Sequence, residues 1–142
     1  MKSIKKTSCL FLTILMMVSA ITPVMANGDI KVRIDGEQIT FDVPPQLINN
    51  RTMVPLRAFS ETLGYNVSWD DLTNGVIIKG NGKNVTFIVG SNEYKNSNGE
   101  WIPIDTVPIN EDGRVFIPVR FAAESLGLTV GWDGASNSVT CY

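Results

Sequence analysis

The chain has 142 residues, a formal net charge of −2, two cysteines and no histidine. That length suits one ordinary domain, and a mildly acidic balance is a poor match for nucleic acid or an anionic membrane surface, which are held by clustered Lys and Arg. Without histidine, Ser–His and Cys–His nucleophile pairs are excluded.

The chain opens with Lys2, Lys5 and Lys6, an apolar run from Cys9 through Val18 to Ile21, then Pro23 and the small-residue pattern Val24-Met25-Ala26. This is the layout of a secretory signal peptide over residues 1–26, cleaved after Ala26. Its apolar core is about a dozen residues, short of the ~20 that a spanning helix needs, although an uncleaved anchor is the alternative. Cys9 stands at the start of the apolar run and not after it, so no lipid-attachment signal is expected. The expected mature chain, 27–142, has 142 − 26 = 116 residues and a charge of −5, from nine bases and fourteen acids. Its one cysteine, Cys141, cannot form an internal disulfide, which leaves a buried apolar thiol or an intermolecular bond. The expected location is extracellular, released or retained at the cell surface.

From residue 30 the pattern is strand-like. Ile30, Val32 and Ile34 alternate with polar residues, Asp35-Gly36 supplies a hairpin turn, and Ile39, Phe41 and Val43 alternate again. Pro44-Pro45 argues for an edge position. After the polar turn Asn49-Asn50-Arg51 and the short apolar piece Met53-Val54, Pro55 suits the first turn of a helix. Leu56, Phe59 and Leu63 share one helical face, and Gly64 fits the left-handed position that ends it. Tyr65, Val67 and Trp69 alternate as a strand, Asp70 to Gly75 turns, and Val76-Ile77-Ile78 returns. Gly80-Asn81-Gly82-Lys83 reads as another hairpin turn. Strands are expected from Val85 to Val89, around Tyr94, and, past an Asn98-Gly99 turn, over Trp101 to Ile104, where Pro103 marks an edge.

The next stretch repeats an earlier one. "RTMVPLRAFSETLGYNVSWD" (51–70) and "RVFIPVRFAAESLGLTVGWD" (114–133) are identical at nine of twenty positions at an offset of 63, and Asp42/Asp105, Pro45/Pro108, Asn74/Asn137 and Val76/Val139 fall in the same register. Two copies of a unit of about 63 residues are expected, with halves near 30–82 and 83–142. The second repeats the order of strand, Pro118, helix (Val119, Ala122, Ala123, Leu126), Gly127, strand (Leu128, Val130, Trp132), turn, and strand Ser138 to Cys141. Copy one reads Ala58-Phe59 where copy two reads Phe121-Ala122, a trade that keeps their summed volume. Helices of about two and a half turns need packing to persist. The expected fold is α+β: a small, twisted, mainly antiparallel set of sheets around two short helices, the halves sharing one core.

The paired "VPLR…LG…V.WD" wording resembles the copper amine oxidase N-terminal-like, or stalk, domain family, over essentially all of the mature chain. The resemblance implies a small antiparallel sheet twisted around helix, a secreted protein of a Gram-positive bacterium, and a module outside any catalytic core. It does not imply copper or quinone chemistry here: the oxidase binds copper through histidines, and the cofactor's Asn-Tyr-Asp/Glu context is matched only by Asn92-Glu93-Tyr94, in the wrong order. No cofactor or metal is expected.

The repeated signature is Pro55, Arg57, Glu61, Gly64, Trp69 and Asp70, with Pro118, Arg120, Glu124, Gly127, Trp132 and Asp133. Arg before Glu at i, i+4 is the weaker order, and Arg in a first turn opposes the helix dipole. Each Arg is therefore expected to reach the Asp after a Trp and to stack on the indole, a structural role. Asp70-Asp71 and Glu111-Asp112 fit turns better than a glycosidase pair. Tyr94 and Trp101 are candidate sugar-stacking aromatics, with a core-edge role for Trp101 as the alternative. The functional expectation is a non-catalytic structural or interaction module at or near the cell envelope, with a protein or wall polysaccharide as partner and a monomeric or weakly dimeric state. The alternative is a small wall- or carbohydrate-acting hydrolase.

Overall fold

A computed structural model describes residues 29–142; the expected signal segment, 1–26, lies outside them. The first alternating run and its Asp-Gly turn form β1 (Lys31–Ile34) and β2 (Glu37–Gln38). Ile39 is buried next to β2, but no strand continues through Phe41 and Val43. Two three-residue strands that carry no periodic signal, β3 (Gln46–Ile48) and β10 (Ile109–Glu111), flank β4 (Arg51–Pro55) and β11 (Arg114–Pro118) in the order β10-β11-β4-β3. Asn49 and Asn50, with φ of 50° and 64°, make the tight β3–β4 turn, since a short Asn side chain tolerates left-handed backbone.

At the centre of that sheet β4 and β11 run antiparallel, Val54 facing Ile117, with Met53 on Pro118 and Pro55 on Phe116. Val54 and Ile117 are 117 − 54 = 63 apart, the same offset as the sequence match. Every one of these six residues is buried.

Each central strand runs straight into a helix: α1 (Leu56–Thr62) after Pro55 and α2 (Val119–Ser125) after Pro118. The prolines occupy the N-cap rather than the first turn, in extended backbone. Both helices end in the same way. The Gly64 amide donates to the Glu61 carbonyl and Tyr65 to Ser60, and Gly127 donates to Glu124 and Leu128 to Ala123. This is the Schellman arrangement, and it needs the left-handed glycines Gly64 (φ 88°) and Gly127 (φ 90°).

The strands after the helices enter two further sheets. One has the order β5-β6-β7-β8-β9, with β5 (Asn66–Asp70), β6 (Gly75–Gly80), β7 (Lys83–Ile88), β8 (Glu93–Lys95) and β9 (Trp101–Pro103). The other runs β12-β13-β1-β2, with β12 (Val130–Asp133) and β13 (Ser138–Cys141). Both sheets cross the 82/83 boundary: β7 to β9 complete the sheet begun by β5 and β6, and β1 pairs in parallel with β13. The Asp35-Gly36 turn lies 63 positions before Asn98-Gly99, and the two sit between strands of the pairs β1–β2 and β8–β9. Strand β7 lies between β6 and β8, and two antiparallel steps leave β8 parallel to β6, as β1 is to β13.

The architecture is thus mostly antiparallel sheet with two short helices, an α+β fold. One apolar cluster draws Val32, Phe59, Phe87, Ile117, Ala122 and Val139 together from all three sheets and both helices. The Ala/Phe exchange is not volume-neutral inside that cluster. Phe59 and Ala122 are fully buried, whereas Phe121 is only partly buried, so the second ring has left the interior. Among the described residues no helix is long and apolar enough to cross a membrane.

Candidate functional site

The repeated signature divides by burial. Pro55 and Pro118 are buried, the glycines cap the helices, and Arg57, Glu61, Trp69, Arg120, Glu124 and Trp132 are all exposed. Helix α1 has its buried face at Leu56 and Phe59, which turns Arg57 and Glu61 outward. In β5, Val67 is half-buried while Trp69 stands 38% exposed; its counterpart Trp132 is 57% exposed.

The expected Arg–Asp pairing does not form. Arg57 donates to Glu61 at 3.2 Å and to the Val67 carbonyl at 3.1 Å, and Arg120 donates to Glu124 at 3.4 Å. Asp70 accepts from the Leu72 amide and the Thr73 hydroxyl, and Asp133 from the Ala135 amide and the Ser136 hydroxyl. Each Asp thus stabilises the turn that follows it, and the Ser136 bond, with the Ala135 amide next, holds the Asp133 carboxyl below the usual range. Exposed i, i+4 pairs contribute about 0–1 kcal/mol. Arg57→Met is accordingly expected to lower stability by less than about 1 kcal/mol, read from thermal unfolding; a larger loss would restore a buried role for this guanidinium.

The ion pairs that cross the boundary lie elsewhere. Arg51 pairs with Asp105, and Arg114 pairs with Asp42 at 2.6 Å through NH2 and 3.2 Å through Nε. The two are reciprocal: Arg51 and Arg114 are 63 apart, as are Asp42 and Asp105. The Arg114 guanidinium bound to Asp42 holds that carboxyl below its ordinary value. The in-register positions were visible in the sequence, but the exchange of partners needs the antiparallel meeting of β4 and β11.

Each exchanged pair closes one end of a groove. The first is a cavity of about 720 Å³ between α1, β5 and the β10–β11 turn, lined by Arg57, Glu61, Trp69, Asp42, Asp112 and Arg114 among others. The second, about 300 Å³, lies between α2, β12 and the β3–β4 turn, and Arg120, Trp132, Asp105 and Arg51 line it. Two differences between them bear on what each could hold. Ala58 borders the first groove where Phe121 borders the second. The Trp69 indole N–H donates to Asp71 at 2.7 Å, which fixes the ring; the position 63 residues later is Gly134, which has no side chain to do this.

The aromatics singled out in the sequence are not together. Tyr94 is buried and stacked on Phe87, centroids 4.8 Å apart, so it is a core residue; burial, reinforced by the Glu124 charge, raises its pKa. Trp101 is 48% exposed on the sheet-edge strand β9. Cys141 is 1% exposed, and burial pushes its thiol up to about 11.

The donor set does not suit copper. The chain has no histidine, and among the described residues no three His, Cys, Asp or Glu side chains converge as a metal site. Its one described cysteine holds its proton too tightly to be a ready thiolate ligand.

No curated protein matches the chain in sequence. The family model described as the copper amine oxidase N-terminal domain matches residues 33–141, from within β1 to the end of β13. That span takes in all three sheets, both helices and both grooves, and the chain belongs to the copper amine oxidase N-terminal domain family.

Proposed function

We propose that the protein is a secreted, non-catalytic interaction module that works at or near the bacterial cell envelope, and that its chain consists of two copies of one unit of about 63 residues closed on a shared core. The observation that carries the binding role is the groove holding Trp69 beside Arg57 and Arg114, a half-exposed aromatic and two guanidinium groups on rigid elements. The partner is a protein or a wall polysaccharide. Residues 1–26, with their basic start, apolar run and small-residue end, support secretion. The reciprocal β4–β11 pairing and the two exchanged ion pairs support the duplication.

A hydrolase reading draws on the carboxylates in the same groove. A glycosidase acid needs a raised pKa so that it is protonated when it meets substrate. Asp42 is shifted the other way, by Arg114, and Glu61 is engaged by Arg57. Both features favour binding over hydrolysis. The test incubates purified protein with purified cell wall and follows sedimentation and turbidity together. Co-sedimentation without loss of turbidity is expected; clearing of the suspension overturns the non-catalytic reading, and protein that stays in the supernatant overturns the wall-binding one.

A further inference from the structure

We propose that the first groove is a subsite for an uncharged glycan, one or more pyranose rings of a polysaccharide chain, and that the second groove is the same site closed by Phe121. This rests on the reading of the protein as an envelope-binding module and names the ligand of its groove.

The two grooves are one construction used twice. Pro55, Arg57, Trp69 and Asp42 line the first, and Pro118, Arg120, Trp132 and Asp105 line the second, each 63 positions later. The remaining wall is exchanged in the opposite sense, Arg114 in the first groove and Arg51 in the second. A surface duplicated in this detail while its two volumes differ, about 720 Å³ against 300 Å³, points to one full-sized copy and one partly filled copy. The filling residue is Phe121, at the position where the open copy has Ala58. The open volume falls within the about 300–1,000 Å³ usual for ligand sites.

Charge selects the class of ligand. Both arginines of the first groove are already neutralised, Arg57 by Glu61 and Arg114 by Asp42, and Asp112 adds a further negative charge. A polyanion therefore finds no net attraction, and a free phosphate or carboxylate would have to displace an existing partner. A ligand made of hydroxyls faces no such obstacle. Paired guanidinium and carboxylate groups present donors and acceptors side by side, which neighbouring ring hydroxyls can bridge. The apolar C–H face of a pyranose needs a flat, fixed aromatic platform. Trp69 supplies it, half-exposed, with its N–H tied to Asp71 so that little freedom is lost on binding. An extended peptide added to the edge of β5 is disfavoured at this point, because the Val67 carbonyl is already taken by Arg57.

The test titrates the purified protein by calorimetry with two neutral probes, a β-1,4-linked N-acetylglucosamine hexamer and a β-1,3-linked glucose hexamer, and with poly(glycerol phosphate) as the anionic one. Saturable binding of a neutral hexamer at one site per chain is expected. Trp69→Ala should weaken it at least ten-fold. Ala58→Phe, which copies the residue at 121, should do the same with an unchanged melting temperature, and Phe121→Ala combined with Gly134→Asp, which restores both the space and the partner of the indole, should raise the stoichiometry from one to two. Binding of neither hexamer, binding of the polyanion alone, or full affinity in both first-groove variants overturns the subsite. A Phe121→Ala/Gly134→Asp protein that still binds one equivalent overturns its closed twin. Wall co-sedimentation that persists without hexamer binding overturns only the glycan assignment, whereas its loss removes the broader envelope reading as well.

Discussion

Truncation of Phe59 to alanine is expected to destabilise the protein by about 3–5 kcal/mol, the usual range for a buried phenyl ring. Phe59 is fully buried in the apolar cluster, on the helix that packs against β4, β11 and β5. A domain of this size holds about 5–15 kcal/mol in total, so the variant should be partly unfolded at ambient temperature or melt far lower. The same change at Phe121 is expected to cost about 1–2 kcal/mol, because that ring is only partly buried, packing on the cluster from a groove wall, and leaves no enclosed cavity. Urea unfolding of both variants measures the contrast. Equal losses would mean that the two rings share the core, and the assignment of Phe121 to the second groove would fall.

That contrast also marks how far the sequence could be read. The Ala58-Phe59 and Phe121-Ala122 exchange was legible as a difference between the copies, but not its direction. A seven-residue helix has a single buried stripe, and residues 58 and 121 lie off it, while 59 and 122 lie on it. Shifting the phenyl by one position therefore moves it from the interior to the groove. Helix positions, their glycine ends and the β5–β6 and β12–β13 strand pairs followed from local pattern. Strands β3 and β10 did not, because three residues cannot display a period, and Leu47 is 60% exposed.

The site was less legible than the fold. Arg57, Glu61 and Trp69 drew notice as repeated residues and were assigned to scaffolding, yet they stand on the surface. The signal that places them in a groove is the exchanged wall, Arg114 and Asp112 arriving from the β10–β11 turn, and that depends on a long-range antiparallel pairing which no local window contains. The parallel β1–β13 contact was hidden for the same reason. Asp71, which orients Trp69, is an ordinary turn residue by local pattern, and its replacement by Gly134 is, with Ala58 against Phe121, what sets the two grooves apart.

Raising the pH from 9 to 11 is expected to destabilise the protein through Cys141. The thiol is buried beneath β13, where its neighbours in the sheet are Ile34 on β1 and Val130 on β12. Burial disfavours the thiolate and pushes the pKa from its ordinary 9.0 to about 11. In the unfolded chain the thiol ionises at about its ordinary value; in the folded chain it stays protonated. Between those two values the folded state binds more protons than the unfolded one, so stability is full below pH 9 and falls as pH rises towards 11. A shift of this size corresponds to about 2–3 kcal/mol across the window. Tyr94, also raised, acts in the same direction at higher pH, so the comparison that isolates Cys141 is with Cys141→Ala. That variant should start somewhat less stable at pH 8 and lose stability less steeply to pH 10.5 in urea unfolding. A thiol reagent should leave the native protein unlabelled, since attack requires both exposure and thiolate, and non-reducing electrophoresis should give a monomer. Parallel pH profiles for the two proteins, or a disulfide-linked dimer, would mean that β13 opens readily and that Cys141 is not sealed between β1 and β12.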